Sequence, residues 1–343
     1  MSNLSEAYRD YPVNLHIIPI DFHTVESVPE SHEWPPHSDC LGTVIDEVSI
    51  PVIDLADSNV QKLVRHASEN WGIFQVTNHG VPLSVLRGVE CEATRLFSLP
   101  VKEKLKVLRS PDGATGYGAA RISPFFTKFM WHEGFTIIGS SLDHAKQLWP
   151  HDYQLFCDVI DEYQKKMKEL AHRILLLILK SLDISEEDIT SWAAASTNES
   201  NAALQLNSYP CCPNPNRAIG LAPHTDSLLL TILNQTHDSS ALQIFRDGVG
   251  WIPVAPVPDA LVVNVGDLLH ILSNGKFPSV YHQVIVSEEK HRISVAYFYG
   301  PKTDCQIAPL SKIEVPIYRS LSVKEFISIK ARHLDKALSF VRI

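Results

Sequence analysis

Three side chains that can bind a metal stand in apolar sequence in the second half of the chain. His224 and Asp226 lie two residues apart in GLAPHTDSLLLTIL at 220–233, and His282 follows an apolar stretch in SVYHQVIVS. Residues i and i+2 of a strand project from one face, so a strand here presents an imidazole and a carboxylate together. Because an unpaired buried charge costs several kcal/mol, the pattern indicates that these groups have a partner.

The donor types and the cysteine distribution favour iron over structural zinc. Two histidines and one carboxylate on one side of Fe(II) leave the opposite positions open for a co-substrate and dioxygen. The six cysteines are scattered without a CxxC pair, and none is placed as the fourth ligand of a closed zinc site. We therefore predict that His224, Asp226 and His282 bind iron, and that the cysteines are reduced in a cytoplasmic protein.

A second polar set follows in HRISVAYFYG at 291–300. A strand places Arg292, Ser294 and Phe298 on one face. An arginine on an interior face needs an anion, and a planar guanidinium holds a carboxylate through two parallel hydrogen bonds. Asn207 and Tyr209 in LNSYP also share a face and are neutral donors. Together these residues predict a carboxylate-binding site.

The elements that must position these groups are short strands. After about residue 203, seven β-like runs separated by Gly, Pro and Asn predict a sandwich or an open barrel. The stretches 219–235 and 260–275 are two of these runs. Helical spacing marks 59–70, 82–108 with a break at Pro100, 152–182 and 323–341.

The bulk composition excludes some classes of partner. The 343 residues carry a net charge of −9 and contain no basic tract, which argues against a nucleic-acid partner. The strongest apolar run, at 174–182, is too short to span a bilayer, and the N-terminus does not resemble a signal peptide. We expect a cytoplasmic protein that binds neither nucleic acid nor membrane.

The ordered set NSYP, HTD, a distant histidine and RIS resembles the plant iron(II)/2-oxoglutarate-dependent dioxygenases, and WGIFQVTNHGVP at 71–82 resembles their N-terminal region. The resemblance covers about residues 48–340. It implies that Arg292 and Ser294, assisted by Tyr209, bind the distal carboxylate of 2-oxoglutarate, whose other end chelates the iron. It also implies ascorbate as the reductant.

This resemblance also gives the expected architecture. The fold class is α+β, with a double-stranded β-helix (jelly-roll) core flanked by helices. The expected organisation is an irregular lead-in at 1–47, an N-terminal region of the plant dioxygenase type at 48–150, a helical connection at 151–202, the jelly-roll core at 203–303, and a C-terminal segment with a helix at 304–343.

Within that family the stretch GATGYGAARISPFFTKFMWHEGFTIIGS at 113–140, with KQLWP and NVGDLLHILSNGKFPSV, is similar to the gibberellin 3-oxidases. The similarity implies 3-beta-hydroxylation of C19 gibberellin precursors, with the gibberellin and dioxygen as small-molecule partners. A gibberellin is a rigid, mostly apolar polycycle with a carboxylate, so its pocket should be apolar with one or two cations or donors. The candidate substrate residues are Tyr117, Arg121, Lys128, Trp131 and Phe298.

Three alternatives stay open from the sequence. Gln283 follows His282 where many relatives have an arginine, so a 2-, 1- or 20-oxidation of a gibberellin, or hydroxylation of a related plant metabolite, is the first. The second is a catalytically silent hormone-binding protein with this fold, against which the full ligand set and Arg292 argue. The third is a cupin-type zinc isomerase or hydrolase, whose activity does not need dioxygen.

Overall fold

The computed structural model describes Leu4, Ala7 and residues 17–36, 49–182, 184–189, 192, 201–236, 240–310 and 315–343. Its strands are β1 (Val52–Asp54), β2 (Ile73–Thr77), β3 (Gly116–Gly118), β4 (Glu133–Ile137), β5 (Asn201–Tyr209), β6 (Leu221–His224), β7 (Leu230–Gln235), β8 (Leu242–Arg246), β9 (Gly250–Pro253), β10 (Leu261–Val265), β11 (His282–Val284), β12 (Arg292–Gly300), β13 (Gln306–Ile307) and β14 (Leu321–Ser322). Its α-helices are α1 (Val60–Asn70), α2 (Leu83–Phe97), α3 (Val101–Lys104), α4 (Leu142–Leu148), α5 (Tyr153–Leu179), α6 (Asp267–Leu272) and α7 (Val323–His333).

Two sheets form the core that carries the polar residues. The larger sheet has the strand order β1-β2-β10-β7-β12-β5-β4-β3, and the smaller one has the order β6-β11-β8-β9. Apolar side chains from both sheets belong to one buried cluster, which includes Leu233 and Ala296 from the larger sheet and Ile244 and Val284 from the smaller. The predicted jelly-roll core flanked by helices is confirmed.

Helices cover the outer face of the larger sheet, and this packing fixes which face of β12 is free for chemistry. Val295, Tyr297 and Tyr299 of β12 belong to the same buried cluster as the apolar side of α5. That side of α5 has residues at helical spacing, among them Ile160, Met167 and Ile174. Because side chains alternate along a strand, Arg292, Ser294 and Phe298 project to the opposite face, toward the smaller sheet.

The apolar pattern of the stretch 219–235 predicts one strand, but the stretch forms two strands that belong to different sheets. β6 ends at His224 in the smaller sheet, and β7 begins at Leu230 in the larger sheet. Asp226 lies in the connection, where its carbonyl accepts a hydrogen bond from the amide of Asp267 at 2.8 Å. The strand prediction for Asp226 was wrong because a long-range contact fixes this segment.

The stretch 260–275 also divides, into β10 and α6, with Gly266 between them. A Cβ atom on Gly266 would lie 2.2 Å from the carbonyl oxygen of Leu228, so the close approach of the two chain segments requires glycine. The final helix predicted over 323–341 ends earlier, because α7 stops at His333. Leu334, with a φ of 44°, is the first residue of a 3-10 turn over Leu334–Phe340.

The helix predicted over 82–108 with a break at Pro100 is found as α2 and α3. Helix α4 lies outside the stretches for which the sequence predicts helical spacing. The predicted domain boundaries stay a prediction, and much of the lead-in at 1–47 lies outside the described residues.

Candidate metal centre and co-substrate pocket

His224, Asp226 and His282 meet at one point between the two sheets. His224 ends β6 and pairs directly with His282, which begins β11, and the two ring centroids lie 4.3 Å apart. One donor atom from each of the three residues lies within 4.8 Å of the others. The chain thus brings together the two imidazoles and the carboxylate that the sequence indicated.

Hydrogen bonds fix which ring nitrogen of each histidine faces the carboxylate. Nδ1 of His224 lies 2.8 Å from the carbonyl oxygen of Ala222, and Nδ1 of His282 lies 3.1 Å from that of Val280. A carbonyl only accepts, so Nδ1 of each ring donates, and in the neutral imidazole Nε2 then carries the lone pair. The Nε2 atoms lie 3.8 Å and 3.9 Å from Oδ1 of Asp226, too far for hydrogen bonds. Three lone-pair donors converge on one space, which fits a divalent metal ion.

The protonation states of this group suit metal binding as well. Burial lowers the pKa of His224 to about 3, and the neighbouring His282 acts in the same direction. Burial alone would raise the pKa of Asp226, but the two neighbouring histidines and a hydrogen bond from Asn264 hold it below its usual value. At neutral pH His224 is neutral and Asp226 is a carboxylate, which are the forms that ligate a metal.

Arg292 lies on β12 with neutral partners. Its Nη2 donates to Oε1 of Gln235 at 2.7 Å, its Nη1 lies 3.4 Å from Oγ of Ser294, and its Nε is buried without a hydrogen-bond partner. Its guanidinium carbon stands 5.0 Å from the ring centroid of Tyr209. Within the described part of the chain, no carboxylate pairs with Arg292. A buried cation without a protein counterion fits an anionic ligand such as the carboxylate of a keto acid.

Asn207 lies between Arg292 and the candidate metal centre, and it contacts Ser294 on the Arg292 side. Strand pairing places Tyr209 opposite Arg292 and Asn207 opposite Ser294. Nδ2 of Asn207 donates toward Oγ of Ser294 at 3.4 Å, and its Oδ1 lies 2.9 Å from Nε2 of His132. The sequence-predicted donors are therefore together on β5 and β12.

His132 is a residue that the sequence reasoning missed. It immediately precedes β4 and is 3% exposed. Burial lowers its pKa to about 4, so the ring is neutral and donates to Asn207. Asn207 and His132 both line the cavity that also contains His224 and Asp226. The only sequence signal was its place in the stretch 113–140, where it stands between a tryptophan and a glutamate.

A cavity of about 490 Å³ opens from the candidate metal centre. Its wall is mainly apolar and includes Ile122, Phe125, Leu221, Phe298 and Ile327. Among the described residues, the cations that line it are Arg121, from the segment between β3 and β4, and Lys330, from α7. A rigid, mostly apolar ligand with one or two anionic or acceptor groups suits such a space.

The five candidate substrate residues lie in different places. Arg121 and Phe298 line the cavity, whereas the described lining residues do not include Tyr117, Lys128 or Trp131. Tyr117 donates to Oε1 of Glu133 at 2.5 Å, and Trp131 donates to the carbonyl oxygen of Pro210 at 3.1 Å. Lys128 is partly exposed and donates to the carbonyl oxygen of Glu30 at 2.8 Å. Substrate contact by each of the five stays a prediction.

Gln283 has a local partner. Its Nε2 donates to Oε1 of Gln243 at 2.8 Å, and the two residues are directly opposed in the pairing of β11 with β8. Both side chains are buried. Gln283 therefore helps to hold the strand that carries His282.

Two family models match the chain. Residues 200–301 match the 2OG-Fe(II) oxygenase superfamily, and residues 50–153 match the non-haem dioxygenase in morphine synthesis N-terminal model. Members of this superfamily use Fe(II) and 2-oxoglutarate with ascorbate as the usual reductant, so the chain has these cofactors and takes dioxygen and a small-molecule substrate. Among the described helices, none is long and apolar enough to cross a bilayer.

Curated relatives and solved structures agree with these matches. A Pisum sativum gibberellin 3-beta-dioxygenase 1 is 50% identical, over 100% of this chain and 94% of the relative. An Arabidopsis thaliana gibberellin 3-beta-dioxygenase 1 is 47% identical, over 99% of this chain and 98% of the relative. A crystal structure of JOX2 in complex with 2OG, Fe and JA has a TM-score of 0.81 and 29% identity, covering 95% of this chain and 98% of that one. The chain therefore belongs to the 2OG-Fe(II) oxygenase superfamily and, within it, to the family of the gibberellin 3-beta-dioxygenases.

Proposed function

We propose that the protein hydroxylates a C19 gibberellin precursor at C3, on the β face, to give the bioactive hormone. The observation that carries this proposal is the position of the candidate metal centre on the wall of a mainly apolar cavity of about 490 Å³ with Arg121 and Lys330 in its lining. The names of full-length relatives at 45–50% identity support the same substrate class. The cytoplasmic location inferred from the scattered cysteines is part of the proposal.

In this proposal His224, Asp226 and His282 hold Fe(II) through two Nε2 atoms and one carboxylate oxygen. When bound, the iron activates dioxygen with 2-oxoglutarate, so that one oxygen atom enters the substrate and the other enters succinate while carbon dioxide leaves. The chain supplies orientation. Arg292 and Ser294, with Tyr209 and Asn207 beside them, hold the distal carboxylate of the keto acid.

The cavity wall supplies the substrate contacts. Phe298 follows Ser294 on the same face of β12, so the apolar rings of the substrate lie beside the co-substrate site. Arg121 donates from Nη1 to the carbonyl oxygen of Gly113 at 2.9 Å, which fixes one end of its guanidinium at the cavity. We assign Arg121 to the substrate carboxylate, because a guanidinium has several donors and can hold a neutral carbonyl and an anion at once.

The experiment that tests this function is incubation with C19 gibberellins and their C20 precursors in the presence of Fe(II), ascorbate and 2-oxoglutarate, with products identified by mass spectrometry. We expect a 3-beta-hydroxylated product that requires dioxygen and disappears in Asp226→Ala. Asp143→Ala, which removes an exposed aspartate of α4, is the matched control and keeps activity.

Each alternative gives a different result in the same experiment. A product hydroxylated at another carbon indicates a sister gibberellin oxidase. Binding of a gibberellin without turnover indicates a silent receptor. Activity that persists without dioxygen indicates zinc chemistry, and conversion of an unrelated plant metabolite alone removes the gibberellin from the proposal.

A further inference from the structure

Helix α7 places a lysine on the cavity wall among apolar residues. Ile327, Lys330, Ala331 and the following Leu334 line the cavity at helical spacing. Lys330 is only 7% exposed. Since lysine is rarely buried to this degree without partners, its position requires specific contacts.

The ammonium group of Lys330 has two protein partners. It donates to Oγ1 of Thr225 through a short hydrogen bond and to Oδ2 of Asp267 at 2.6 Å. Oγ1 of Thr225 in turn lies 3.2 Å from the same carboxylate oxygen. An ammonium carries three hydrogens, and the structure has no third acceptor for it among the described residues. One donor hydrogen is therefore left at the cavity wall.

This donor is fixed close to the candidate metal centre. Thr225 lies between His224 and Asp226 in sequence and lines the same cavity, and the amide of Asp267 donates to the carbonyl oxygen of Asp226 at 2.8 Å. Asp267 is fully buried and balances the charge of Lys330. The ammonium therefore cannot swing away without leaving a buried carboxylate unpaired. It is a preorganised donor beside the space where the reacting carbon must lie.

The chemistry of the proposed substrate supplies an acceptor at that place. In a C19 gibberellin, C3 is bonded to C4, and C4 carries the carbon of the lactone carbonyl. A molecule that presents C3 to the metal therefore presents this carbonyl to the neighbouring wall. Resting on the proposed function, we infer that Lys330 donates its remaining hydrogen to the lactone carbonyl and so determines that C3 is the carbon attacked. In the same bound gibberellin, Arg121 holds the free carboxylate.

A pair of probes tests this contact on the unmodified protein. The first is a C19 gibberellin, and the second is its analogue in which a methylene replaces the lactone carbonyl to give a cyclic ether. A hydrogen bond from a charged donor corresponds to a difference of about 10- to 100-fold in affinity. We expect the metal-free protein to bind the ether more weakly by this factor, measured calorimetrically. Equal affinities overturn the inference.

Variants then assign the effect to the lysine. Lys330→Met alone leaves Asp267 unpaired, so the variant for comparison is Lys330→Met with Asp267→Asn, which removes both charges. We expect this double variant to bind the lactone about 10- to 100-fold more weakly and the ether unchanged, and to yield more product hydroxylated at C2. Lys324→Met, on the exposed side of α7, is the matched control and keeps both preferences.

Two further readouts separate the possible causes of a negative result. The visible absorption band of the anaerobic Fe(II)–2-oxoglutarate complex should be retained in the double variant, because Lys330 contacts the substrate and not the iron or the keto acid. If the unmodified chain converts no gibberellin, the proposed function itself fails. If it converts gibberellins and the double variant still prefers the lactone with unchanged regiochemistry, only the role of Lys330 is overturned.

Discussion

Asn264 donates a hydrogen bond from Nδ2 to Oδ2 of Asp226 at 3.2 Å, so that Oδ1 is the oxygen that faces the imidazoles of His224 and His282. Asn264 lies on β10 of the larger sheet, whereas the two histidines lie on the smaller sheet. The contact therefore orients the carboxylate from the opposite side of the fold. Partners of this kind set the angle of a ligand without touching the metal.

Replacing Asn264 should weaken metal binding more than it weakens the fold. In Asn264→Ala the carboxylate of Asp226 can rotate, and we expect Fe(II) affinity to fall about 10- to 100-fold. Anaerobic titration of the metal-free protein with Fe(II) measures this change. Asn234→Ala is the control, since Asn234 is also buried but donates to the carbonyl oxygen of Leu86. Equal Fe(II) affinities in the two variants would contradict the prediction.

The sequence predicted the ligand types but not the local structure that positions them. The i, i+2 spacing of His224 and Asp226 suggested one strand, yet the strand ends at His224 and Asp226 follows in a crossover. The amide of Asp267 donates to the carbonyl oxygen of Asp226 across more than forty positions of sequence. The spacing of apolar residues cannot reveal such a long-range contact. By contrast, β12 keeps strict alternation, and so the shared face of Arg292 and Ser294 could be predicted.

Lys330 shows which signal was available and overlooked. It stands three residues after Ile327, on a helix stripe that is otherwise apolar. A cation in such a stripe needs buried partners, and that requirement can be read from sequence. The identity of the partners cannot, because Thr225 and Asp267 lie 105 and 63 positions before Lys330 in the sequence.

Acidification should destabilise the metal-free protein through its buried histidines. Burial lowers the pKa of His32 and of His132 from 6.5 to about 4. Between these values the unfolded chain binds protons that the folded chain does not, so the free energy of unfolding falls as pH falls from about 6.5 toward 4. Above about pH 6.5 both states are neutral and these groups contribute no pH dependence. Urea unfolding at a series of pH values measures the slope.

His32→Phe tests the contribution of one of these histidines. The side chain of His32 is 1% exposed and stacks on Phe129 with the ring centroids 5.4 Å apart, so a phenyl ring can occupy the same place. We expect the loss of stability between about pH 7 and pH 5 to be smaller by about 1–2 kcal/mol than in the unmodified protein. His151→Phe, which replaces an exposed histidine, should keep the full loss. An identical pH slope in His32→Phe would refute the assignment.

Arg121 should determine the preference for a free acid. In Arg121→Met the guanidinium is lost while an apolar side chain still lines the cavity, so we expect KM for a gibberellin to rise about 10-fold or more, with little change for its methyl ester. Steady-state kinetics with both substrates measures the difference. Arg65→Met is the control, because Arg65 lies on α1 and pairs with Glu69. If the variant keeps the original preference for the acid, Arg121 does not bind the carboxylate.

Lys104 and Glu133 form a buried ion pair that accounts for the position of Tyr117. Nζ of Lys104 lies 2.5 Å from Oε1 of Glu133, with the two side chains 1% and 4% exposed, and the hydroxyl of Tyr117 donates to the same oxygen. Burial and then the charge of Glu133 raise the pKa of Tyr117, so the hydroxyl stays protonated as a donor. Lys104 also donates to the carbonyl oxygen of Phe97 at 3.1 Å, which connects the pair to the end of α2.

Removing one member of this pair should cost more than removing both charges. In Lys104→Met the carboxylate of Glu133 is left buried with Tyr117 alone, and we expect the free energy of unfolding to fall by about 3–5 kcal/mol. Adding Glu133→Gln removes the uncompensated charge and should restore most of this loss. Lys106→Met is the control, since Lys106 forms an exposed pair with Glu103 and its loss should cost no more than about 1 kcal/mol. Urea unfolding of the unmodified protein, the two single variants and the double variant measures these differences. If the double variant is no more stable than Lys104→Met, the unpaired buried charge is not the cause of the loss. The lost packing of the lysine side chain is then the cause.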